Sequence, residues 1–261
     1  YLQIRGIARN IGVNVKELPL EKDLGWQWDI SKLEHLVSNK TKMIVICHPN
    51  NPTGSIVSLK NIKNILDVAE KNDCWILSDE VYRGAELDGE ECPSFFGSYE
   101  KTIVNAGLSK AYRLPGLRIG WTVGPRKYIK KAWAFHDYTS ISIAHHSDWI
   151  ASKVLEPKRR EIILNGTKNH LNQNLKTLVK WVDTLNGKLS INKPQAGAIA
   201  FTKLNIEKSC EELTYHLRDK YSVLLTAGKW FGLDGFIRFG FGPPKDYLIN
   251  ALTRIENALK N

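Results

Sequence analysis

An α/β fold is expected of this chain, with a mostly parallel sheet in its first half and a smaller α/β domain at its end. Three observations predict it. Short apolar runs alternate with one-face helical patterns before Lys127, a long helical stretch follows, and strand signals return after Gly187 ahead of a last amphipathic helix. Composition agrees: 261 residues, 43% hydrophobic and 25% charged, exclude a collagenous or broadly disordered chain. No apolar run approaches the ~18 residues of a membrane span, so no membrane association is expected.

Taken in order, Ser31 and Glu34 have the spacing of a capping box for a short helix carrying Leu33, Leu36 and Val37. Met43–Cys47 is a short apolar run, as expected of a strand covered on both faces. Ile62, Ile65, Leu66 and Ala69 then lie on one face of a helix, and residues 75–77 read as a second strand. Strand, helix and strand with short joints make a right-handed βαβ unit of a parallel sheet. Residues 102–104 and 119–123 add two strands. Residues 127–185 are mostly helical, with Leu171, Leu175, Leu178, Val182 and Leu185 on one stripe. Short strands follow at 198–204, 222–226 and 236–239, with a helix over 211–220. After Pro243 and Pro244 a final helix repeats Leu248, Leu252, Ile255 and Leu259. The expected divisions are 1–135, a partial larger domain; 136–185, a helical connector and the start of the smaller domain; and 186–261, the smaller domain. The chain opens on Tyr1 rather than Met and reads as lacking its true beginning.

Charge and cysteines narrow the function class. Lys and Arg number 37 against 27 Asp and Glu, a net +10. The one dense basic run, Lys158-Arg159-Arg160, falls inside a helical stretch, so a solvated helix face is expected and no nucleic-acid partner. Cys47, Cys74, Cys92 and Cys210 are scattered without a C-x-x-C pair, which argues against a disulfide framework or zinc site. Cys47 and Cys74 sit in or beside apolar runs as small hydrophobes, and a reducing, cytoplasmic setting fits. His145 and His146 are adjacent and cannot share a helix face as a metal pair, so no metal is expected. Trp26, Trp28 and Trp121 are expected to serve packing.

The chemistry concentrates where open α/β sheets place it, just past the carboxyl ends of strands. After the first strand comes His48-Pro49-Asn50-Asn51-Pro52-Thr53-Gly54; after the second, Asp79-Glu80-Val81-Tyr82; after the third, Gly107-Leu108-Ser109-Lys110, with Arg118 eight residues beyond the lysine. Singly these are a turn, a helix start and a surface lysine. Jointly, with the later Phe236-Ile237-Arg238-Phe239-Gly240, they resemble the class I/II aminotransferases, fold-type I enzymes that use pyridoxal 5'-phosphate.

That resemblance implies a three-layer large domain, here incomplete at its N-terminus, a smaller C-terminal domain, and a homodimer. It implies that Lys110 forms a Schiff base with the cofactor aldehyde and then shuttles the proton. Lys110 must give up its own proton to do this, so burial beside the positive charge of Arg118 is expected. It further implies that Asp79 pairs with the ring nitrogen, Tyr82 and Asn51 bond the phenolic oxygen, and Ser109 and Arg118 hold the phosphate. Arg238, with Asn51 beside it, would grip the substrate α-carboxylate. Gly107 stands where the family often has a phosphate-binding serine. A glycine-rich phosphate turn, a stacked aromatic ring and the early strands, which the family carries upstream, are expected to be missing. The implied activity is amino transfer between an L-amino acid and a 2-oxo acid. The DEVYRG and GLSKAY segments also look similar to capreomycidine-synthase relatives, so a cyclase or oxidase is the alternative, with a carbon–sulfur lyase behind it because those often carry histidine at the Tyr82 position. An effector domain of an aminotransferase-like transcription regulator is the non-enzyme alternative.

Overall fold

A computed structural model describes residues 1–260. Two helices, α1 (Leu2–Asn10) and α2 (Ile30–Leu36), precede the first sheet. The expected Ser31/Glu34 box does not form. The Asp29 carboxylate accepts from the Ser31 and Lys32 amides, so the helix starts at Ile30 and Ser31 falls inside the first turn. Aspartate is a strong cap, and it reaches those amides before the serine can.

The first sheet has the order β1 (Met43–Cys47), β2 (Trp75–Asp79), β3 (Thr102–Gly107) and β4 (Gly120–Val123), with α3 (Leu59–Lys71) crossing from β1 to β2. β1, β2 and β3 run parallel, and β4 returns antiparallel on β3. Ser58 caps α3 through the Asn61 amide, and its Ile62, Ile65, Val68 and Ala69 pack on Ile44, Ile46 and Ile76 with Cys74 and Phe95. Ile65 and Ile76 are 0% exposed, and burying each contributes about 2 kcal/mol. The expectation that β1 is covered on both faces fails. Met43 and Val45 are 39% and 36% exposed, because α3 covers one face and nothing described covers the other.

The expected helical stretch is three helices: α4 (Arg126–His136), α5 (His145–Val154) and α6 (Pro157–Asp183). One break contains Ile141 at φ 61°, and Pro157 opens the last helix. The second sheet takes the order β5 (Leu189–Ile191), β6 (Ile199–Leu204), β8 (Phe236–Gly240) and β7 (Thr226–Ala227), all antiparallel, with α7 (Cys210–Tyr221) before β7 and α8 (Lys245–Lys260) at the end. The strand expected at 222–226 shrinks to β7, because Ser222 ends α7 in the left-handed region at φ 53°. Leu171, Leu175, Leu178 and Val182 of α6 share one core with Leu248, Leu252 and Ile255 of α8 and with Ile237 and Phe239 of β8. The basic run is only partly solvated: Arg160 pairs with Glu91 at 2.5 Å and donates to the Tyr112 hydroxyl at 3.0 Å.

Candidate cofactor site at the strand ends

The parallel register sets Cys47 of β1 beside Asp79 of β2, so the turn after β1 and the segment after β2 begin side by side. His48 is 0% exposed and pins the turn: its Nδ1 accepts from the Val57 amide at 3.1 Å, leaving Nε2 to donate to the Pro93 carbonyl at 3.1 Å. Burial drives its pKa down to about 4. Gly54 sits at φ +68°, where an added Cβ would come within 2.4 Å of the Pro194 Cβ. That contact is why the turn ends in glycine: the backbone of Gln195 and Ala196 donates two bonds to its carbonyl, each 2.9 Å.

Three of the expected residues form one hydrogen-bonded chain. Asn51 is buried; its Nδ2 donates to the Tyr82 hydroxyl at 3.4 Å, and its Oδ1 accepts from Arg238 Nη1 at 3.1 Å. Gly197 makes room for the phenol, since a Cβ there would lie 3.2 Å from Tyr82 Cδ1. Burial first, then Cys47, pushes the Tyr82 phenol up to about 12 against the pull of Arg238, so it stays protonated and able to donate at neutral pH.

Asp79 accepts from the Val81 amide at 3.3 Å through Oδ1, and Oδ2 takes no partner among the described residues. Burial pushes its carboxyl above the ordinary range, while the Val81 bond and the charge of Lys110 oppose the shift. Lys110 therefore stands within electrostatic reach of Asp79, but its side chain is exposed. The burial expected around it is not supplied by the described residues. Ser109 is half-buried beside it. Arg118 is exposed, at φ 54° after a 3-10 turn over Pro115–Leu117, and its Nη1 donates to the Pro115 carbonyl at 3.0 Å. Gly107 has a packing reason. A Cβ there would sit 2.9 Å from the Ile119 carbonyl oxygen, so a serine would force β3 and β4 apart.

Two residues at the site escaped the sequence reading. The Tyr1 phenol lies within electrostatic range of Tyr82 and Arg238 and raises the pKa of both. Thr226 Oγ1 accepts from Arg238 Nη2 at 3.3 Å. A tyrosine at the first position carries no motif, and Thr226 is recognisable only from strand pairing. Among the described residues no group of three or more His, Cys, Asp or Glu is placed to hold a metal, and no helix is long and apolar enough to cross a membrane.

The donor set fits a phosphorylated pyridine aldehyde. A half-buried carboxylate with one unengaged oxygen suits a protonated ring nitrogen, a phenol and an amide NH₂ suit a phenolic oxygen, a primary amine suits the aldehyde, and a guanidinium suits the phosphate. Fold and donors together are those of the α/β class of pyridoxal-phosphate-binding proteins. Residues 1–255 match the family described as aminotransferase class I and II, and the chain belongs to it. Capreomycidine synthase of Streptomyces vinaceus is 24% identical over 99% of this chain and 66% of its own length. Aspartate aminotransferase of Pyrococcus horikoshii is 29% identical over 93% of this chain and 63% of its own. The crystal structure of a PLP-dependent aminotransferase from Streptococcus suis superposes with a TM-score of 0.93 at 31% identity, over 100% of this chain and 68% of that one. The chain thus spans 63–66% of the length of these two curated relatives.

Proposed function

We propose that this chain carries the cofactor and carboxylate sites of an aminotransferase that moves an amino group between an L-amino acid and a 2-oxo acid. The observation that carries the reading is the chain Tyr82–Asn51–Arg238, which ties a hydrogen-bond donor for the cofactor to a cation for the substrate. Pyridoxal phosphate, when bound, supplies an aldehyde that accepts the amino group and a ring that draws electrons from the substrate Cα. Arg238 grips the α-carboxylate in a two-pronged contact and so fixes the direction of the Cα–H bond. Lys110 Nζ is placed to take the proton from the substrate Cα and to hold it for return. Asp79 would pair its unengaged oxygen with the ring nitrogen, Tyr82 and Asn51 would donate to the phenolic oxygen, and Arg118 with Ser109 would hold the phosphate.

The reading includes a homodimer and a cytoplasmic location. α4 buries none of its residues, and Trp133, Phe135 and Tyr138 are 67%, 70% and 88% exposed. A second copy over this face would cover it. The four free thiols suit a reducing compartment.

The second reading, a cyclising or oxidising enzyme, is favoured by the similarity to capreomycidine synthase over 99% of the chain. Product analysis separates the two. The cofactor-loaded protein is incubated with a panel of amino acids, and the soluble products are followed by mass spectrometry. Transamination predicts a 2-oxo acid in equal amount with pyridoxamine phosphate. Ammonia, peroxide or a cyclised amino acid without the amine form of the cofactor would select the second reading.

A further inference from the structure

Arg238 brings a guanidinium into a half-buried position where, among the described residues, it meets only neutral groups. Nη1 donates to Asn51 Oδ1 at 3.1 Å, Nη2 donates to Thr226 Oγ1 at 3.3 Å, and Cζ lies 5.1 Å from the centroid of the Phe231 ring. We propose that Thr226 and Phe231 are positioning residues that hold the Arg238 guanidinium in one orientation for a substrate α-carboxylate. This rests on the reading of Arg238 as the carboxylate grip and adds the residues that make that grip rigid.

Thr226 is directly opposite Arg238 across the β7–β8 ladder, so the two side chains stand on one face of the sheet. Its branched Cβ restricts χ1, which keeps Oγ1 where the guanidinium meets it. Phe231 ends the 3-10 turn over Gly228–Phe231. That turn is tight: a Cβ on Gly228 would come within 2.3 Å of the Leu233 carbonyl oxygen, so no side chain fits there. The Phe231 ring is braced edge-on by Phe201 at 6.0 Å, and Phe201 in turn stacks on Phe236 at 4.9 Å with Trp26 against both.

A free arginine side chain would lose rotamer entropy on binding; one held at two nitrogens and one face has already lost it. Of the five guanidinium N–H groups, two are engaged here, and the rest are available for a forked contact with two carboxylate oxygens. The neutrality of both partners matters as much as their position. An aspartate at 226 would neutralise the cation that the substrate needs, whereas a hydroxyl orients it and leaves its charge intact.

The test is calorimetric titration of 2-oxobutanoate into the cofactor-loaded protein and its Thr226→Val, Thr226→Ser, Phe231→Leu and Arg238→Ala variants. KM and kcat for amino transfer are measured alongside. Thr226→Val is expected to weaken binding about tenfold, equivalent to ~1.4 kcal/mol, and to raise KM with kcat little changed. Thr226→Ser keeps the hydroxyl and should bind within about twofold of the parent, and Phe231→Leu should weaken binding several-fold. A Thr226→Val protein that binds like the parent while Arg238→Ala does not would overturn the proposal and leave the carboxylate reading standing. A Thr226→Ser protein as weak as Thr226→Val would overturn the role of the hydroxyl. If Arg238→Ala binds as well as the parent, or the parent binds no oxo acid, the carboxylate reading and this proposal both fail.

Discussion

Burial raises the pKa of Asp79 above its unfolded value of 3.8, so the folded chain holds that proton more tightly than the unfolded chain does. Stability from this group is therefore full at low pH and is lost as pH rises through the folded pKa. At neutral pH the ionised carboxylate is a cost to the empty site and an asset once a cation faces it. Asp79→Asn removes that cost: the cofactor-free variant at pH 7 should unfold at the same urea concentration as the parent or a higher one, while its affinity for pyridoxal phosphate falls roughly 10- to 100-fold. Urea melts followed by fluorescence and a cofactor titration check the two halves, and a lower urea midpoint would contradict the account. At this scale much of the site was legible. Asn51, Asp79, Tyr82, Lys110 and Arg238 belong to short motifs, and the first four follow apolar runs that could only be strands. Tyr1 and Thr226 were not legible, because what gives them a place is proximity to residues far away in the chain. Gly107 was read as a lost phosphate contact, and only the 2.9 Å approach to the Ile119 carbonyl explains it.

The turn after β1 depends on one uncharged histidine. His48 has its pKa held at about 4 by burial, against 6.5 when unfolded, so the unfolded chain takes up a proton first as pH falls. The contribution is fully present above about pH 6.5 and is lost progressively down to about pH 4. Between pH 7 and pH 5 this one group should withdraw ~2 kcal/mol of stability. Denaturant melts at the two pH values would show it, and His48→Gln should flatten that part of the difference; an unchanged slope would rule the histidine out as its source. Elements were legible where a period persisted, as in α3, α6 and α8, whose apolar stripes are the faces that pack. They were not legible where single residues compete: Asp29 outbids Ser31 as a cap, and the left-handed Ser222 shortens the strand after it to two residues. The openness of β1's second face was invisible for another reason, since an apolar run says that a strand is buried without saying by what.

The two sheets are joined by Gln195, whose amide donates to Gly54, whose carbonyl accepts from Leu87 and whose side-chain Oε1 accepts from Ile56 at 2.9 Å. This strap brings the strand that carries Arg238 against the turn that carries Asn51, so the carboxylate grip and the cofactor contacts share one frame. Lys110 and Arg118 are exposed, as are one face of β1 and Trp133 and Phe135 of α4. The alternation of strand and helix foretold this architecture, and the motifs foretold the family. The central claim is that Lys110 joins the cofactor within the frame set by Asp79, Tyr82 and Asn51, and the most direct measurement is a pyridoxal phosphate titration of the chain beside its Lys110→Ala variant. The account predicts a visible absorbance that forms only with Lys110 and bleaches when an amino acid is added. Identical spectra for the two proteins would contradict it.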